Sequence, residues 1–146
     1  MSGYVVVDAS LAIKWLLREE NSPHAHARLA IWDREERQLA APQLFRFEVT
    51  NALHRRVVRG ELAAREAAAL AEDLFSDFEF GEPLLLHTRA LELASELGQG
   101  AAYDSHYLAL AEALECEYWT ADERFWRAAS AAFDFARSLS EVEAPG

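Results

Sequence analysis

A short β-branched run near the start of the chain does most to limit the folds that are available. Residues Tyr4–Val7 read Tyr-Val-Val-Val with no charged residue, which is typical of a strand that is buried on both faces. Residues 9–18 then place Leu11 and Trp15 at helical spacing. Because short apolar runs and amphipathic stretches go on alternating, the sequence predicts an α/β fold with a mostly parallel sheet.

Four more short apolar runs are candidate strands of this sheet, namely residues 39–42, 84–86, 116–119 and, as an edge strand, 133–136. Helices are predicted over residues 24–36, 43–59, 63–75, 88–97, 102–114 and 123–129. Gly60 stands where the C-terminus of a helix prefers glycine. Since no linker or repeat divides the chain, we expect one domain over residues 1–137 and a tail at 138–146.

The charge of the chain restricts its partners. It carries 14 Lys and Arg against 25 Asp and Glu, a formal net charge of −11. Taken alone, this argues against a nucleic-acid binder and is compatible with a carboxylate cluster that needs metal ions, with a basic partner, or simply with solubility. One cysteine excludes an intramolecular disulfide, and no apolar stretch is long enough to span a membrane. The N-terminus lacks the basic, then apolar, then small-residue pattern of a signal peptide. We therefore predict a soluble, cytoplasmic protein.

Two aspartates directly follow predicted strands. Asp8 follows the first strand, and Asp122 follows the strand at 116–119. In a parallel sheet both lie at the carboxyl edge, where α/β proteins bind their ligands. The alternatives are structural: Asp8 could cap the next helix, and Thr120 and Glu123 could form a capping box around Asp122.

Two further acids lie on predicted helices at the margin of the apolar face. Glu48 and Asp104 are therefore partly desolvated, which is costly unless they are paired or bind a metal ion. The alternatives are an ion pair between Glu48 and Arg55, and stabilisation of Asp104 by the helix dipole. If all four acids converge, their repulsion needs a hard divalent cation such as Mg²⁺ or Mn²⁺.

Four segments of the chain together resemble a known family. They are Val5-Val6-Val7-Asp8-Ala9-Ser10, Glu48 with Asn51, Tyr103-Asp104-Ser105-His106-Tyr107-Leu108-Ala109-Leu110-Ala111, and Thr120-Ala121-Asp122. In this order and spacing they resemble the PIN domain, with VapC-type toxins of toxin–antitoxin pairs as the closest subgroup. The resemblance implies a three-layer α/β/α sandwich around a mostly parallel sheet of four or five strands. It also implies an endoribonuclease that uses one or two Mg²⁺ or Mn²⁺ ions.

The resemblance also assigns roles to individual residues. The catalytic and metal-binding acids it implies are Asp8, Glu48, Asp104 and Asp122. Ser10, Thr120 and Asn51 are implied as polar residues that support the acids. A fifth acid found in some members has no counterpart here, because Glu112 and Glu115 do not fall at a strand end.

Substrate and partners follow from the same resemblance. Single-stranded or loop RNA is the expected substrate, and Lys14, Arg46 and Arg124 are candidates for binding it. The expected protein partners are a second copy of the chain in a homodimer and a small VapB-like antitoxin whose tail covers the acidic groove. No membrane association is expected.

Other functions remain open at this point. A haloacid-dehalogenase-type phosphatase would need an aspartate where Ser10 stands, and a receiver domain would need an acid after its third strand. Neither fold explains Glu48 or Asp104. The stronger alternative is a PIN-like module that binds a protein partner and no longer cuts RNA.

Overall fold

The computed structural model describes residues 3–141, which form strands and helices in alternation. The strands are β1 (Tyr4–Val7), β2 (Gln38–Ala41), β3 (Phe78–Phe80), β4 (Tyr118–Thr120) and β5 (Ala136–Ser138). The helices are α1 (Ala9–Leu16), α2 (Ser22–Arg34), α3 (Leu44–Val58), α4 (Ala64–Ser76), α5 (Leu86–Glu96), α6 (Tyr103–Leu114) and α7 (Glu123–Ser130). A short 3₁₀ helix, Leu139–Glu141, follows β5.

The five strands form one parallel sheet in the order β3-β2-β1-β4-β5. This confirms the predicted α/β class. After β1 the chain builds the sheet outward to β2 and β3, and it then returns to add β4 and β5 on the other side. Because the strand order reverses between β1 and β4, a crevice forms at the carboxyl ends of these two strands.

Helices cover the sheet on both faces. Parallel crossovers are right-handed, so α1 to α4 cover one face and α5 to α7 cover the other. Packing agrees with this division, since α1 contacts α2 and α3, whereas α5 packs against α6. With helices on both sides, β1 is buried as its sequence predicts: Val5, Val6 and Val7 are at most 2% exposed.

One predicted strand is wrong. Residues 84–86 form no strand, because Leu84 lies in a turn with 93% of its surface exposed and Leu86 begins α5. The third strand is Phe78–Phe80, which pairs in parallel with β2. Its Phe-Glu-Phe pattern places both aromatic rings on one face, where Phe78 stacks against Phe45 of α3 at 4.4 Å between ring centroids.

The edge strand lies slightly later than predicted. The sequence indicates residues 133–136, whereas β5 covers Ala136–Ser138 and pairs with β4. The packed structure continues into the predicted tail, since Ser138 and Leu139 are buried. The remainder of that tail, residues 142–146, lies outside the described residues. Within residues 3–141, no helix combines the length and apolar character needed to cross a membrane.

Candidate active site

Asp8 joins β1 to α1 at the crevice between β1 and β4. Its carboxylate is buried, with 4% of the residue exposed. Oδ1 accepts the backbone N–H of Leu11 over 3.2 Å, so Asp8 caps α1, and Oδ2 accepts the hydroxyl of Tyr118 over 2.7 Å. Burial raises the pKa of Asp8, and these hydrogen bonds oppose the rise. The residue therefore combines the capping role with a position at the ligand-binding edge.

Two hydroxyl groups connect the ends of β1 and β4. Ser10 Oγ donates to Asp8 Oδ1 over 2.6 Å. Since that uses its only proton, Thr120 Oγ1 is the donor in the 3.3 Å contact with Ser10 Oγ. Thr120 Oγ1 in turn accepts the backbone N–H of Asp122 over 2.9 Å. A continuous chain of hydrogen bonds therefore joins the backbone of Asp122 to the carboxylate of Asp8.

Asp122 is exposed and begins α7 as its N-cap. Its Oδ1 accepts the backbone N–H of Phe125 over 3.1 Å. The capping box with Thr120 as the cap is wrong, because Glu123 does not fold back and instead accepts the hydroxyl of Ser138. Within the described part of the chain, Oδ2 of Asp122 accepts no hydrogen bond and is available to a ligand.

Glu48 reaches the same region from α3. Its Oε1 accepts the hydroxyl of Tyr107, which belongs to α6 on the opposite face of the sheet, over 2.5 Å. Burial raises the pKa of Glu48, the Tyr107 hydroxyl opposes this, and the charge of Asp8 adds to the rise. In the described residues Glu48 forms no ion pair with Arg55, so that alternative is not what holds the carboxylate.

Asp104 lies in the first turn of α6 and is half-buried. Its pKa is raised to about 7, first by burial and then by the charges of Asp8, Asp122 and Glu48. Tyr107, one turn after Asp104 on α6, holds Glu48, and Tyr118 holds Asp8 beside the end of β4 that leads to Asp122. The structure therefore brings the four acids that the sequence singles out into one electrostatic cluster.

No cation of the described chain neutralises this cluster. The ion pairs within residues 3–141 all involve other acids. In the same part of the chain, no three His, Cys, Asp or Glu side chains are arranged to hold a metal ion between them. Mg²⁺ in particular usually keeps several waters and takes only one or two carboxylates. The carboxylate oxygens of the four acids are donors of the kind that Mg²⁺ and Mn²⁺ prefer.

Comparison with known families decides where the chain belongs. The PIN domain profile matches residues 5–131, from β1 to α7, and this segment includes all four acids. The chain belongs to the PIN domain family. PIN domains are a nuclease fold and are typically metal-dependent.

A solved structure supports the fold of this PIN domain. The crystal structure of PAE2754 from Pyrobaculum aerophilum superposes with a TM-score of 0.70 and 24% sequence identity. The match covers 94% of this chain and 90% of that chain. At this identity the likeness concerns the fold alone. The comparison with curated proteins gave no match.

The predicted RNA-binding residues of the PIN domain lie in different environments. Lys14 donates to the carbonyl of Glu20 over 2.7 Å and lies 3.6 Å from Glu19, so its charge is already compensated. The guanidinium of Arg46 lies over the aromatic ring of Phe80 of β3, 4.1 Å from the ring centroid. Arg124, on α7 two residues after Asp122, is exposed.

Asn51, expected to support the acids, makes no hydrogen bond to them within the described residues. It is exposed and lines a cleft beside Glu48. Two tyrosines that the sequence analysis did not single out do support the acids, because Tyr118 donates to Asp8 and Tyr107 to Glu48. Their spacing is the signal: Tyr118 precedes Thr120 by two positions on β4, and Tyr107 follows Asp104 by one helical turn.

Proposed function

We propose that this PIN domain is an endoribonuclease that hydrolyses phosphodiester bonds of single-stranded or loop RNA with Mg²⁺ or Mn²⁺. One observation carries the proposal: Asp8 and Asp122 follow the adjacent strands β1 and β4, Glu48 and Asp104 reach the same region from α3 and α6, and no ion pair of the described chain involves any of the four. A protein keeps such a cluster at a cost in stability, and one or two bound divalent ions offset that cost.

Each acid has its own part in this proposal. Asp8 would bind the ion, because its capping and tyrosine hydrogen bonds fix the carboxylate at the carboxyl edge of the sheet. Asp104 and Asp122 would complete the ligand set, directly or through water. Glu48 positions a water molecule with its second oxygen while Tyr107 holds the first.

The remaining polar groups keep these acids in place. Ser10 and Thr120 fix the separation of the two strand ends through their shared hydrogen bond, so that Asp8 and Asp122 could hold the same ion. A divalent ion at the site supplies Lewis acidity, which polarises the phosphodiester and promotes ionisation of the attacking water.

We also propose that the protein is the toxin of a VapBC-type pair, acting as a homodimer and inhibited by a VapB-like antitoxin. Membership of the PIN family supports this assignment. Exposed leucines just before and within α5 support a protein contact, since Leu84, Leu85 and Leu91 are 93%, 66% and 67% exposed. Sedimentation of the purified chain beside a Leu91→Glu variant tests the dimer. A wild-type chain that sediments as a monomer would contradict it.

The nuclease activity is tested with purified protein and labelled single-stranded RNA in Mg²⁺, Mn²⁺ or EDTA. Asp8→Asn is the central variant, because asparagine can keep the cap of α1 through its Oδ1 while it removes the charge and the acceptor of the Tyr118 hydroxyl. We expect it to lower the rate at least 100-fold, given that losing an outer partner of a metal site alone costs about 10–100-fold. Asp134→Asn, which changes an exposed acid away from the cluster, is the matched control and should cleave normally.

The alternative function is a PIN-like module that binds a protein and does not cut. It predicts no cleavage with any metal, and no heat of Mg²⁺ or Mn²⁺ binding in calorimetry. Equal cleavage by the wild type and Asp8→Asn would point to a contaminating nuclease and would remove the support for the enzyme.

A further inference from the structure

A cleft opens beside the acidic cluster, between α1 and α3. It has a volume of about 500 Å³, within the range of about 300–1,000 Å³ that is usual for ligand sites. Ser10 and Glu48 belong both to the wall of the cleft and to the acidic site. Whatever enters the cleft is therefore next to the reacting groups.

One face of α3 forms a wall of the cleft. Glu48, Asn51, Ala52 and Arg55 follow one another at spacings of three, one and three residues, which places them on the same side of a helix. Arg55 lies about 10 Å along the helix axis from Glu48, at a rise of about 1.5 Å per residue. A chain lying along this wall can therefore contact the acids at one position and Arg55 at another.

Arg55 is the uncompensated cation of this wall. It is exposed, and within the described residues it has no ion pair or hydrogen bond. Its neighbour Arg56 is bound to Glu19 and Glu61, each over 2.9 Å. Lys14 on the facing wall is held by the same Glu19. In a chain of net charge −11, Arg55 is thus the place in the cleft where an anion is attracted.

Small apolar side chains in the lining of the cleft leave room for a flat ring. Ala9, Ala52 and Ala121 line the cleft with Ile13, so small apolar groups leave open space where larger side chains would fill it. Asn51 stands at the rim with a free amide, which can both donate and accept hydrogen bonds. Proteins that recognise single-stranded RNA form hydrogen bonds to the edges of unstacked bases, and Asn51 beside this open space can do so.

We propose that the cleft seats one nucleotide of single-stranded RNA next to the scissile phosphodiester, with Arg55 binding a phosphate and Asn51 contacting the edge of the base. This inference rests on the proposed function, since it takes the acidic cluster as the cleavage site. In this proposal, Asn51 and Arg55 of α3 position the RNA and set which base is preferred beside the cleavage site.

The test measures binding apart from cleavage. A short fluorescein-labelled single-stranded RNA is titrated with protein in Ca²⁺ buffer, and the dissociation constant is followed by anisotropy as salt is raised. Arg55→Gln should bind about tenfold more weakly. The slope of log affinity against log salt should fall in magnitude by about 0.7, the value for one phosphate contact on a single strand.

Arg59→Gln is the matched control, because Arg59 is exposed one turn further along and does not line the cleft. It should bind RNA within twofold of the wild type. An equal loss in both arginine variants, or no loss in Arg55→Gln, would overturn the local phosphate site. Competition with the four homopolymers tests Asn51: Asn51→Ala should lose a base preference that the wild type has, and an unchanged preference would overturn its role.

Failure of this inference can be told apart from failure of the proposed function. RNA that binds through Arg55 but is never cut with Mg²⁺ or Mn²⁺ would remove the enzyme and leave the binding site. RNA that is cut in an Asp8-dependent way, with the same KM for the wild type and Arg55→Gln, would leave the enzyme and overturn the site on α3.

Discussion

The hydroxyl of Tyr118 donates a 2.7 Å hydrogen bond to Oδ2 of Asp8, although both residues are buried. Tyr118 is on β4 and Asp8 follows β1, so the bond crosses from one strand to the other at the point where the strand order reverses. The tyrosine stabilises the ionised form of a carboxylate whose burial raises its pKa. One hydrogen bond therefore stabilises a carboxylate that both caps α1 and belongs to the proposed metal site.

Tyr118→Phe should lower the free energy of unfolding by about 1–3 kcal/mol, because it leaves one oxygen of a buried carboxylate without its donor. The pKa of Asp8 should rise further, which weakens divalent-ion binding at neutral pH. Urea denaturation and Mn²⁺ calorimetry measure these two effects. Tyr4→Phe is the control, since Tyr4 donates to exposed Glu79 and its loss should cost under about 0.5 kcal/mol. Equal losses in both variants would contradict a special role for Tyr118.

Asp104→Asn should stabilise the metal-free protein while lowering nuclease activity. The variant removes a charge that burial and three neighbouring acids disfavour. With allowance for the partial exposure of Asp104, we expect a gain of about 1–2 kcal/mol in EDTA. Urea denaturation in EDTA at pH 8 checks this, with Asp134→Asn as an exposed control. A loss of stability in Asp104→Asn would argue against the repulsion.

The same residue predicts how stability changes with pH. The folded pKa of Asp104 is about 7, above its ordinary value, so between these two values the folded chain binds more protons than the unfolded chain. The contribution of Asp104 is therefore full at acid pH and is lost as pH rises through 7. Denaturation of the wild type across this range should show the decline, and Asp104→Asn should lack that component. Saturating Mg²⁺ should reduce the decline, because it binds the ionised site.

Arg89→Gln should loosen the contact between α5 and α6. The guanidinium holds Glu112 in a two-point contact, with Nε to Oε1 at 2.7 Å and Nη2 to Oε2 at 3.0 Å. Because both side chains are about one third exposed, the expected loss is about 0.5–1 kcal/mol at pH 7. Arg127→Gln is the control, since its 3.9 Å contact with Glu123 is more exposed and should contribute almost nothing.

This pair also has a defined pH dependence. Arg89 lowers the pKa of Glu112 below its ordinary value, so the stabilisation is present above the unfolded pKa and is lost as pH falls through the folded pKa. The difference between the wild type and Arg89→Gln, measured by urea denaturation, should therefore shrink in acid. A difference that persists at pH 3 would mean that Arg89 acts through packing instead.

Cys116 should react slowly with thiol reagents in the folded protein. It is 5% exposed, and burial raises the pKa of its thiol to about 11, so little thiolate is present at neutral pH. Colorimetric thiol titration should give slow native labelling and rapid, stoichiometric labelling in urea. Rapid labelling without urea would contradict the buried position.

The parts of the fold that the sequence predicted are those where local pattern and tertiary contact agree. β1 is an uninterrupted β-branched run and lies at the centre of the sheet, so its pattern and its burial coincide. The edge of the sheet was mispredicted. Leu84–Leu86 is the more apolar segment, yet the strand is Phe78–Phe80, because the aromatic contact of Phe78 with Phe45 of α3 outweighs local hydrophobicity.

The acidic site was predictable as a set of residues but not as an arrangement. Strand ends and helix margins indicated all four acids, because a carboxylate is unusual in such positions. The hydroxyl groups of Tyr107 and Tyr118 were missed, since the spacing of these residues from Asp104 and Thr120 indicates a shared face but not where each hydroxyl points. Asn51 lines the cleft with Glu48 but forms no hydrogen bond to the acids within the described residues.

The hydrogen bond from Tyr107 to Glu48 joins helices that cover opposite faces of the sheet. A folding intermediate with only one helical layer docked would therefore hold some of the four acids but not their combined arrangement. For the proposed nuclease, we therefore expect divalent-ion binding only once both helical layers are packed against the sheet.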